Sequence, residues 1–370
     1  MSNTSLITEN WQSENKVSLH KLLQIMTAKD ASDLIITTGA PPKIRIDGRL
    51  FDIKASPLTP SETKRLCYSI LTDSQKETFE ETNELDLSFG VKNLARFRAN
   101  LFIQRGSLAA AIRQVPHEIK SIEQLGLPPI LKEIAELKQG LVLVTGATGS
   151  GKSTSIAAIL DQINRESSGH IVTIEDPIEF IHKHKNCIVN QREVGSDTES
   201  FSKALKYVLR QTPNVVMIGE MRDTETMEAA LQISETGHLT LATLHTNSAS
   251  QTINRIIDAF SPHQQRQIRI QLSFVLQAVV CQQLVPKTTG GRALAAEIMI
   301  ASPAIRNLIR EEKVHQIYSQ IQLGQVQYGM QTMNHNLMHL LQQKTITPKD
   351  ALLHSTEPEE LQKLLSRTAN

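Results

Sequence analysis

The sequence is poor in cysteine and in aromatic residues, and it carries almost no net charge. Its three cysteines, Cys67, Cys187 and Cys281, lie far apart without a CxxC pair, so we expect reduced thiols and no disulfide framework. Lys and Arg number 39 against 38 Asp and Glu, which excludes a strongly basic nucleic-acid coat. Aromatic residues make up only 4% of the chain, too few for base-stacking platforms. We therefore expect no nucleic-acid partner.

Long apolar runs are missing as well. The longest, such as residues 141–144, fall far short of the roughly 18 to 20 residues that a membrane-spanning helix needs. The polar N-terminus lacks the apolar segment behind a basic start that is typical of a secretory signal. Together with the reduced thiols, these absences predict a cytoplasmic protein.

The length of 370 residues favours two domains. Stretches rich in turn residues and proline separate the two domains, and the pattern of predicted strands in the first domain differs from that in the second. The predicted divisions are a flexible N-terminal tail over 1–16, an N-terminal domain over 17–115, a linker over 116–137, and a second domain with a helical C-terminal part over 138–370.

Apolar periodicity predicts a smaller α+β domain followed by an α/β domain. In the first domain, helices are predicted over 17–29 and after Thr59, with strands over 34–36, 43–46, 86–89 and 95–104 and a turn pair at Asp47-Gly48. In the second domain, apolar strands alternate with helices, which is typical of a parallel sheet covered on both faces. Those strands are predicted over 141–145, 171–175, 215–218 and 239–244, and the chain is predicted to be helical from Ser302 onward.

The segment GATGSGKS at 146–153 fits the phosphate-loop pattern G-x-x-x-x-G-K-[ST] without a mismatch. A predicted strand leads into it and a helix predicted over 153–163 leaves it, so its backbone N–H groups would face phosphate oxygens. Lys152 is expected to reach the β- and γ-phosphates, Ser153 to hold Mg²⁺, and Thr154 to help at the α-phosphate. No N-K-x-D guanine signature is present, which favours ATP. The predicted nucleotide-binding residues are Gly146, Thr148, Gly149, Ser150, Gly151, Lys152, Ser153 and Thr154.

Two further acidic segments follow predicted strands. The strand over 214–218 is followed by Gly219 and Glu220, the layout of a Walker B strand in which Gly219 stands where many P-loop enzymes carry an aspartate. We therefore expect Glu220 to polarise the attacking water while Ser153 is the main metal ligand. The acidic turn 174–179 lies either beside the phosphates or in an ordinary solvated loop.

Histidines and arginines complete the set of candidates. His238 and His245 lie at opposite ends of one predicted strand, so a shared metal site is not expected. Arg96 and Arg98 alternate with apolar residues on one strand, and Arg105 and Arg113 follow. These arginines form either a solvated strand face or, in an oligomer, arginine fingers that reach the γ-phosphate across an interface.

Several motifs outside the phosphate loop follow one another in a specific order: TIEDPIEFIH, NQREVG, IGEMRDTET, ETGHLTLATLHTNSA and RIIDAF. With GATGSGKST they resemble the secretion-ATPase superfamily, and more narrowly the PilT and PilU family of twitching-motility ATPases of type IV pili. The likeness extends from about residue 17 to about residue 353. The opening SDLIITTGAPPKIRIDGRL and the helix motif AIRNLIRE at 304–311 are also similar to that family.

The resemblance implies a homohexameric ring of subunits with a PAS-like N-terminal domain and a RecA-like ATPase domain. It implies hydrolysis of ATP with Mg²⁺, and pilus retraction driven by domain closure. By position, 175–179 matches the Asp box of the family, Gly219-Glu220 its Walker B motif, and 238–245 its His box. The resemblance thus makes Glu179 and Glu220 the acids at the nucleotide.

The same resemblance implies further roles and partners. His245 becomes a sensor of the γ-phosphate, and the region that holds Arg96, Arg98 and Arg113 becomes a source of interdomain arginine contacts. The implied partners are other copies of the chain, an inner-membrane pilus platform protein and a paralogous retraction ATPase, at the inner-membrane base of the pilus machine. AIRNLIRE is closer to the PilT branch, whereas GHIVTIEDPIEFIHKHKNCIV is closer to the PilU branch. The alternative to a retraction motor is therefore an accessory ring with little turnover of its own.

Overall fold

The computed structural model of the protein describes residues 17–46, 48–115 and 118–368. The predicted tail over 1–16 lies outside the described residues, as do Asp47 of the predicted turn pair and residues 116 and 117 of the predicted linker. The chain divides into two compact units, Met1–His117 and Glu118–Asn370.

The first unit is an antiparallel sheet with three helices. Its elements are α1 (Leu19–Ala28), β1 (Asp33–Ile36), β2 (Lys43–Ile46), β3 (Arg49–Asp52), α2 (Pro60–Tyr68), α3 (Asp73–Thr82), β4 (Glu84–Val91), β5 (Ala95–Gln104) and β6 (Ser107–Val115). The strand order is β3-β2-β1-β6-β5-β4, and every neighbouring pair is antiparallel. The predicted α+β arrangement is confirmed, although β3, α3 and β6 were not among the predicted elements.

Local sequence explains where these helices begin. Thr59 and Glu62 form a reciprocal capping box at the start of α2, and Thr72 and Gln75 form another at the start of α3. Each box gives acceptors to backbone N–H groups that have no partner within the helix. The helices then cover one face of the sheet, where the fully buried Phe97 stacks on Phe89 with ring centroids 5.5 Å apart.

The second unit is larger and follows an alternating pattern before it becomes helical. Its elements are α4 (Ile130–Glu136), β7 (Gly140–Thr145), α5 (Lys152–Glu166), β8 (His170–Glu175), β9 (Ile188–Glu193), α6 (Phe201–Val208), β10 (Val215–Ile218), α7 (Thr224–Glu235), β11 (Leu239–Leu244), α8 (Ala249–Asp258), α9 (Pro262–Val275), β12 (Leu276–Pro286), β13 (Arg292–Ile300), α10 (Pro303–Arg310), α11 (Ile317–Leu323), α12 (Gln325–Tyr328), α13 (Met333–Gln342), α14 (Pro348–His354) and α15 (Pro358–Thr368). The short 3₁₀ helices are Leu209–Gln211 and Val314–Gln316.

The sheet of this unit has the order β13-β12-β7-β11-β10-β8-β9. All neighbours are parallel except β12 and β13, which form an antiparallel hairpin at one edge. Successive residues of β7 are buried in different clusters, Leu141 and Leu143 in one and Val142 and Val144 in the other. Helices therefore cover both faces, which is why the strands are continuous apolar runs. The four predicted strands of this domain are confirmed as β7, β8, β10 and β11.

The segment that joins the predicted domains is partly built into the second unit. Leu131 and Ile134 of α4 are buried in the same cluster as β7 and α5. Residues 118–137 of the predicted linker therefore contribute to the core of that unit.

The C-terminal part is helical, as predicted from Ser302 onward. On α10, which carries the AIRNLIRE motif, Ile305 and Ile309 are fully buried. Arg306 donates hydrogen bonds to the backbone oxygens of Ser273 and Phe274, each at 2.7 Å. Because those oxygens belong to the last turn of α9, Arg306 caps that helix from its neighbour.

The described cysteines are free and buried. Burial raises the pKa of the Cys67 thiol to about 12 and also raises the pKa values of Cys187 and Cys281. Of the helices in the described ranges, none has the length and apolar character needed to cross a membrane.

One buried carboxyl group lies at the edge hairpin of the second sheet. Glu297 of β13 is only 1% exposed, and its Oε1 accepts a hydrogen bond from the backbone N–H of Ala249 at 2.8 Å. Burial raises its pKa to about 7, although the backbone N–H groups of Ala249 and Met333 act in the opposite direction. Charge repulsion from Glu357 raises the pKa further, and Cys281 lies opposite on β12.

This carboxyl group makes a prediction about stability and pH. In the unfolded chain it ionises near pH 4, so between that pH and about 7 the folded state binds more protons and stability falls as the pH rises. Relative to Glu297→Gln, we expect the wild-type free energy of unfolding to fall by about 2 to 3 kcal/mol between pH 5 and pH 8. Urea unfolding of both proteins across this range checks it, and a constant difference between them would contradict it.

Candidate functional site

The candidate site lies where four parallel strands of the second sheet end. The phosphate loop follows β7, the acidic turn follows β8, Glu220 follows β10 after one residue, and His245 follows β11. These strands are neighbours in the order β7-β11-β10-β8, so their carboxyl ends share one edge. Ligands of open parallel sheets bind at this edge.

The phosphate loop has the expected strand and helix on either side. Lys152 is the first residue of α5, and its buried Nζ donates hydrogen bonds to the backbone oxygens of Gly146 at 2.8 Å and Ala147 at 3.1 Å. Burial lowers the pKa of Lys152, while the negative charges of Glu220 and Glu179 oppose that shift. Lys152 therefore closes the loop on itself, with both acids within electrostatic range.

Gly146 is required by close contacts as well as by its backbone conformation. Its φ is +142°, and a Cβ atom there would lie 2.3 Å from the backbone oxygen of Gln282 and 2.6 Å from Oγ of Ser150. At Gly149, φ is also positive, at +79°, but a Cβ atom would meet nothing within 4 Å. The two glycines thus differ in packing, while both need a conformation that L-residues rarely adopt.

Glu220 is surrounded by positive or ionisable groups. Its Oε2 lies 2.9 Å from Nη2 of Arg222, and its Oε1 lies 3.2 Å from Nε2 of His245. Arg222 also lies 3.8 Å from Asp176. The acid after the Walker B strand, the histidine after β11 and the acidic turn after β8 are therefore brought into one cluster of polar and charged groups.

The glycine at position 219 has a steric cause. A Cβ atom there would lie 3.2 Å from the backbone oxygen of Ile174 and 3.3 Å from Cα of Glu175. Its own backbone oxygen accepts a hydrogen bond from the Thr243 hydroxyl. The end of β8 thus leaves little room for any side chain at Gly219, and the carboxylate comes one residue later, at Glu220.

The three acids of the turn after β8 have different surroundings. Glu175 is buried, and its Oε1 accepts hydrogen bonds from the Thr173 hydroxyl at 2.6 Å and the Gln191 amide at 3.0 Å. Burial raises its pKa. All three acids line the cleft, but Asp176 and Glu179 are not buried as Glu175 is. Glu175 therefore holds the turn in shape, and the other two acids present oxygen atoms to a ligand.

The cleft has a volume of about 590 Å³, within the range of small-molecule sites. Of the predicted site residues, those that line it are Thr148, Gly149, Gly151, Lys152, Ser153, Thr154, Glu179, Glu220 and His245. Sequence reasoning missed Phe180, Arg222, Leu284 and Arg292, which also line it. Arg222 lies two residues after Glu220 in a recognised motif, so the motif could have indicated it. Leu284 and Arg292 belong to the β12–β13 hairpin, which the strand prediction did not include.

The remaining predicted residues lie elsewhere. Ser150 is buried inside the loop. His238 lies at the end of β11 opposite to His245, where it contacts Thr236 and the backbone oxygen of Ile233. Within the described residues, no group of three or more His, Cys, Asp or Glu side chains is arranged to hold a metal ion. A hydroxyl at Ser153 and carboxylates at Glu179 and Glu220 supply the oxygen donors that Mg²⁺ prefers, so the residues of the cleft fit that ion together with a nucleotide.

The candidate arginines belong to the first unit. Arg96 and Arg98 are half-buried on β5 and alternate with the buried Phe97, so both lie on the same face of that strand. Arg113 lies opposite Arg98 on β6, and its Nε pairs with Asp33 at 2.9 Å. Among the described residues Arg98 has no ion-pair partner. Arg105 lies at the far end of β5, in the turn before β6, roughly 20 Å along the strand from Arg98.

The two glycines of the phosphate loop give a matched pair of variants. We expect Gly146→Ala to weaken binding of labelled ADP by at least about a hundredfold, because its Cβ atom would displace the Gln282 backbone and distort the loop. Gly149→Ala should cost less than about tenfold, since only backbone strain of about 1 kcal/mol opposes it. Fluorescence titration measures both affinities. Equal losses would contradict the steric argument.

Comparison with known proteins agrees with the motifs. A family model described as "Type II/IV secretion system protein" matches residues 11–348 of the chain. The "Type IV pilus retractation ATPase PilT" of Pseudomonas aeruginosa is 46% identical over 343 residues, which cover 93% of this chain and 99% of the relative. The "Type IV pilus ATPase PilU" of the same organism is 43% identical over 350 residues, which cover 94% of this chain and 91% of the relative.

A solved structure is similar over the same extent. The "Crystal Structure of the Pilus Retraction Motor PilT and Bound ADP" has 50% sequence identity and a TM-score of 0.88, and the match covers 94% of this chain and 99% of that one. It shares the RecA-like secretion ATPase fold. The chain therefore belongs to the type II/IV secretion system protein family, and within it to the PilT and PilU group of type IV pilus ATPases.

Proposed function

We propose that the protein is a Mg²⁺-dependent ATPase that powers retraction of type IV pili as a homohexameric ring. The observation that carries the proposal is the position of Glu220 in the same cleft as Lys152 and Ser153. A phosphate loop alone binds nucleotide, whereas hydrolysis also needs a group that orients the attacking water. Glu220 stands at the strand end where such a group acts, and the names of the relatives support the reaction and the pilus.

The residues of the cleft divide the steps of hydrolysis among them. On binding ATP, Lys152 would exchange its bonds to the loop backbone for the β- and γ-phosphate oxygens, and Thr154 would contact the α-phosphate. Ser153 would hold Mg²⁺, which when bound neutralises phosphate charge. Glu220 would accept a hydrogen bond from the attacking water, with Glu179 as a second acid at the nucleotide.

His245 would respond to the γ-phosphate. It already contacts Glu220 at 3.2 Å, so any phosphate that approaches Glu220 also approaches this imidazole. Arg222, at 2.9 Å from the same carboxylate, would hold Glu220 until the nucleotide arrives. Through the contact between His245 and Glu220, the presence or absence of the γ-phosphate would then affect the position of the loop after β11.

Force would come from closure between the domains over 17–115 and 138–370, which residues 116–137 join. In this proposal the arginine face of a first domain closes on a nucleotide bound in a neighbouring subunit, and hydrolysis releases it. Arg98 is favoured over Arg113 as the residue that contacts the phosphates, because Arg113 is already paired with Asp33. Arg96 lies on the same face of β5 as Arg98. An inner-membrane platform protein would receive the motion at the cytoplasmic base of the pilus.

A second candidate function is an accessory ring that binds ATP and assists a paralogous retraction ATPase. The 43% identity to PilU over 94% of the chain favours it as directly as the identity to PilT favours the motor. The two functions differ in whether the ring turns over ATP by itself and whether it retracts pili alone.

We expect purified wild-type protein to hydrolyse ATP at steady state and Glu220→Gln to lose at least about a hundredfold in kcat while it still binds ADP. Lys152→Ala should lose both hydrolysis and pilus retraction, because the phosphates lose their main cation. A coupled phosphate-release assay and a twitching assay measure these effects. Retraction that survives Lys152→Ala in a strain without any other retraction ATPase would refute the motor.

Wild-type binding without turnover would instead identify the accessory ring. In that case pilus retraction should require the paralogous ATPase, and a strain with this protein alone should not twitch. Deletion of each gene in turn separates the two candidates.

The arginine contact across subunits has its own test. Arg98→Ala and Lys152→Ala should each be inactive alone, but in a ring co-expressed from equal amounts about one interface in four joins an intact Lys152 to an intact Arg98. We therefore expect about a quarter of wild-type turnover to return in the mixed ring. Arg105→Ala, which changes an arginine at the other end of β5, is the control and should stay active. A mixed ring without activity would exclude Arg98 as a residue that acts across an interface.

A further inference from the structure

Glu297 stands in the row of residues that borders the nucleotide cleft. Register pairs connect adjacent strands along this row, which consists of Leu244 on β11, Thr145 on β7, Cys281 on β12 and Glu297 on β13. Leu244 directly precedes His245, and Thr145 directly precedes the phosphate loop. With strands about 4.8 Å apart, Glu297 is roughly 10 Å from the start of that loop. It does not line the cleft itself.

The carboxylate of Glu297 accepts a hydrogen bond at the N-terminal end of α8 and lies close to that of α13. Ala249, whose N–H donates to Oε1 at 2.8 Å, is the first residue of α8. Met333, whose N–H also favours the charged form of the carboxyl group, is the first residue of α13. The first N–H groups of a helix have no acceptor inside the helix, so the carboxylate supplies one to α8 through Oε1, while Oε2 is buried without a hydrogen-bond partner among the described residues.

The α8 end of this arrangement leads directly to the reaction centre. Only residues 245–248 separate β11 from α8. This short loop is tied to Glu220 through His245 at 3.2 Å, and the Thr246 hydroxyl is 2.7 Å from that of Thr252 within α8. A shift in the first turn of α8 would therefore move His245 relative to Glu220.

The α13 end leads to the C-terminal helices. Asn334 of α13 donates to the backbone oxygen of Glu357 at 2.8 Å and to the Glu360 carboxylate at 2.6 Å. Tyr318 of α11 donates to the same carboxylate. α13 is thus joined by part-buried polar contacts to α11 and α15.

A buried carboxyl group with a raised pKa lowers the stability of the folded protein when it is charged. Core packing alone therefore does not explain why a glutamate stands at position 297. We propose that Glu297 is a positioning residue for ATP hydrolysis, which holds the first turn of α8 against β13 and thereby keeps His245 against Glu220. This inference rests on the proposed ATPase function.

A graded series of variants tests the proposal on the full-length protein. Glu297→Leu removes both acceptor oxygens, whereas Glu297→Gln keeps one acceptor and removes the charge. We expect kcat for ATP to fall by about tenfold or more in Glu297→Leu and by a smaller factor in Glu297→Gln, with KM and the affinity for ADP changed less than about twofold. Because Glu297→Gln is expected to be more stable than the wild type above pH 7, its lower kcat would not reflect unfolding.

Asn336→Ala is the matched control. The Asn336 side chain accepts a hydrogen bond from the N–H of Ala296 at 2.9 Å, so it joins β13 to α13 next to Glu297 without contacting α8. Loss of this hydrogen bond should lower the free energy of unfolding by about 1 to 3 kcal/mol and leave kcat within about twofold of wild type. Hydrogen exchange should become faster in residues 245–252 in the Glu297 variants, but not in Asn336→Ala.

The possible results separate this inference from the proposed function. A wild-type protein without turnover that depends on Glu220 would remove the ATPase function and the inference with it. Turnover in the wild type together with a kcat for Glu297→Leu within about twofold would overturn the inference alone. An equal loss in Asn336→Ala would also overturn it, since general loosening of the hairpin would then be sufficient. If Glu297→Leu fails to fold, the kinetics of Glu297→Gln decide the question. A reduced kcat with an unchanged KM would support the inference, and an unchanged kcat would overturn it.

Discussion

The parallel pairing of β7, β11, β10 and β8 is the constraint on which the site depends, because it brings four strand ends to one edge of the sheet. Residues that are far apart in sequence thus meet at this edge, where side-chain hydrogen bonds such as that from Thr243 to Gly219 add to the strand pairing. The apolar strand interiors, buried on both faces, stabilise that pairing. The chemistry of the cleft is therefore carried by the first residues after each strand, while the strands themselves supply stability.

Close packing at that edge also decides which acids are available. The backbone oxygen of Ile174 lies 3.2 Å from where a Cβ atom of Gly219 would stand, and the Glu175 carboxyl group is occupied by Thr173 and Gln191. Of the acids that sequence motifs offer, this leaves Glu220 and those later in the turn to face a nucleotide. Arg222 then balances the charge of Glu220 and His245 contacts the same carboxylate, so the acid is held in place before any ligand binds.

The fold and the site were predictable from sequence to different extents. Continuous apolar runs gave all four central strands, and a motif with defined mechanics gave Lys152. The β12–β13 hairpin was missed because Gln282 and Gln283 interrupt its apolar pattern, and the burial of Gln282 depends on neighbours such as Ser155, which is 127 positions away. Glu297 was missed for the same reason, since its partner is the N-terminal end of α8, 48 positions away in the sequence. The local sequence pattern indicates which residues are buried and where turns lie. It does not indicate which groups that are distant in sequence will be in contact.

The buried thiols have a practical consequence for experiments on domain motion. Cys67, Cys187 and Cys281 are each no more than 2% exposed, and a raised pKa keeps them in the unreactive protonated form. A single cysteine introduced on an exposed surface of either unit should therefore react with a maleimide dye much faster than the native thiols. Donor and acceptor dyes on the two units could then follow the distance between them during turnover in a protein that retains its own cysteines.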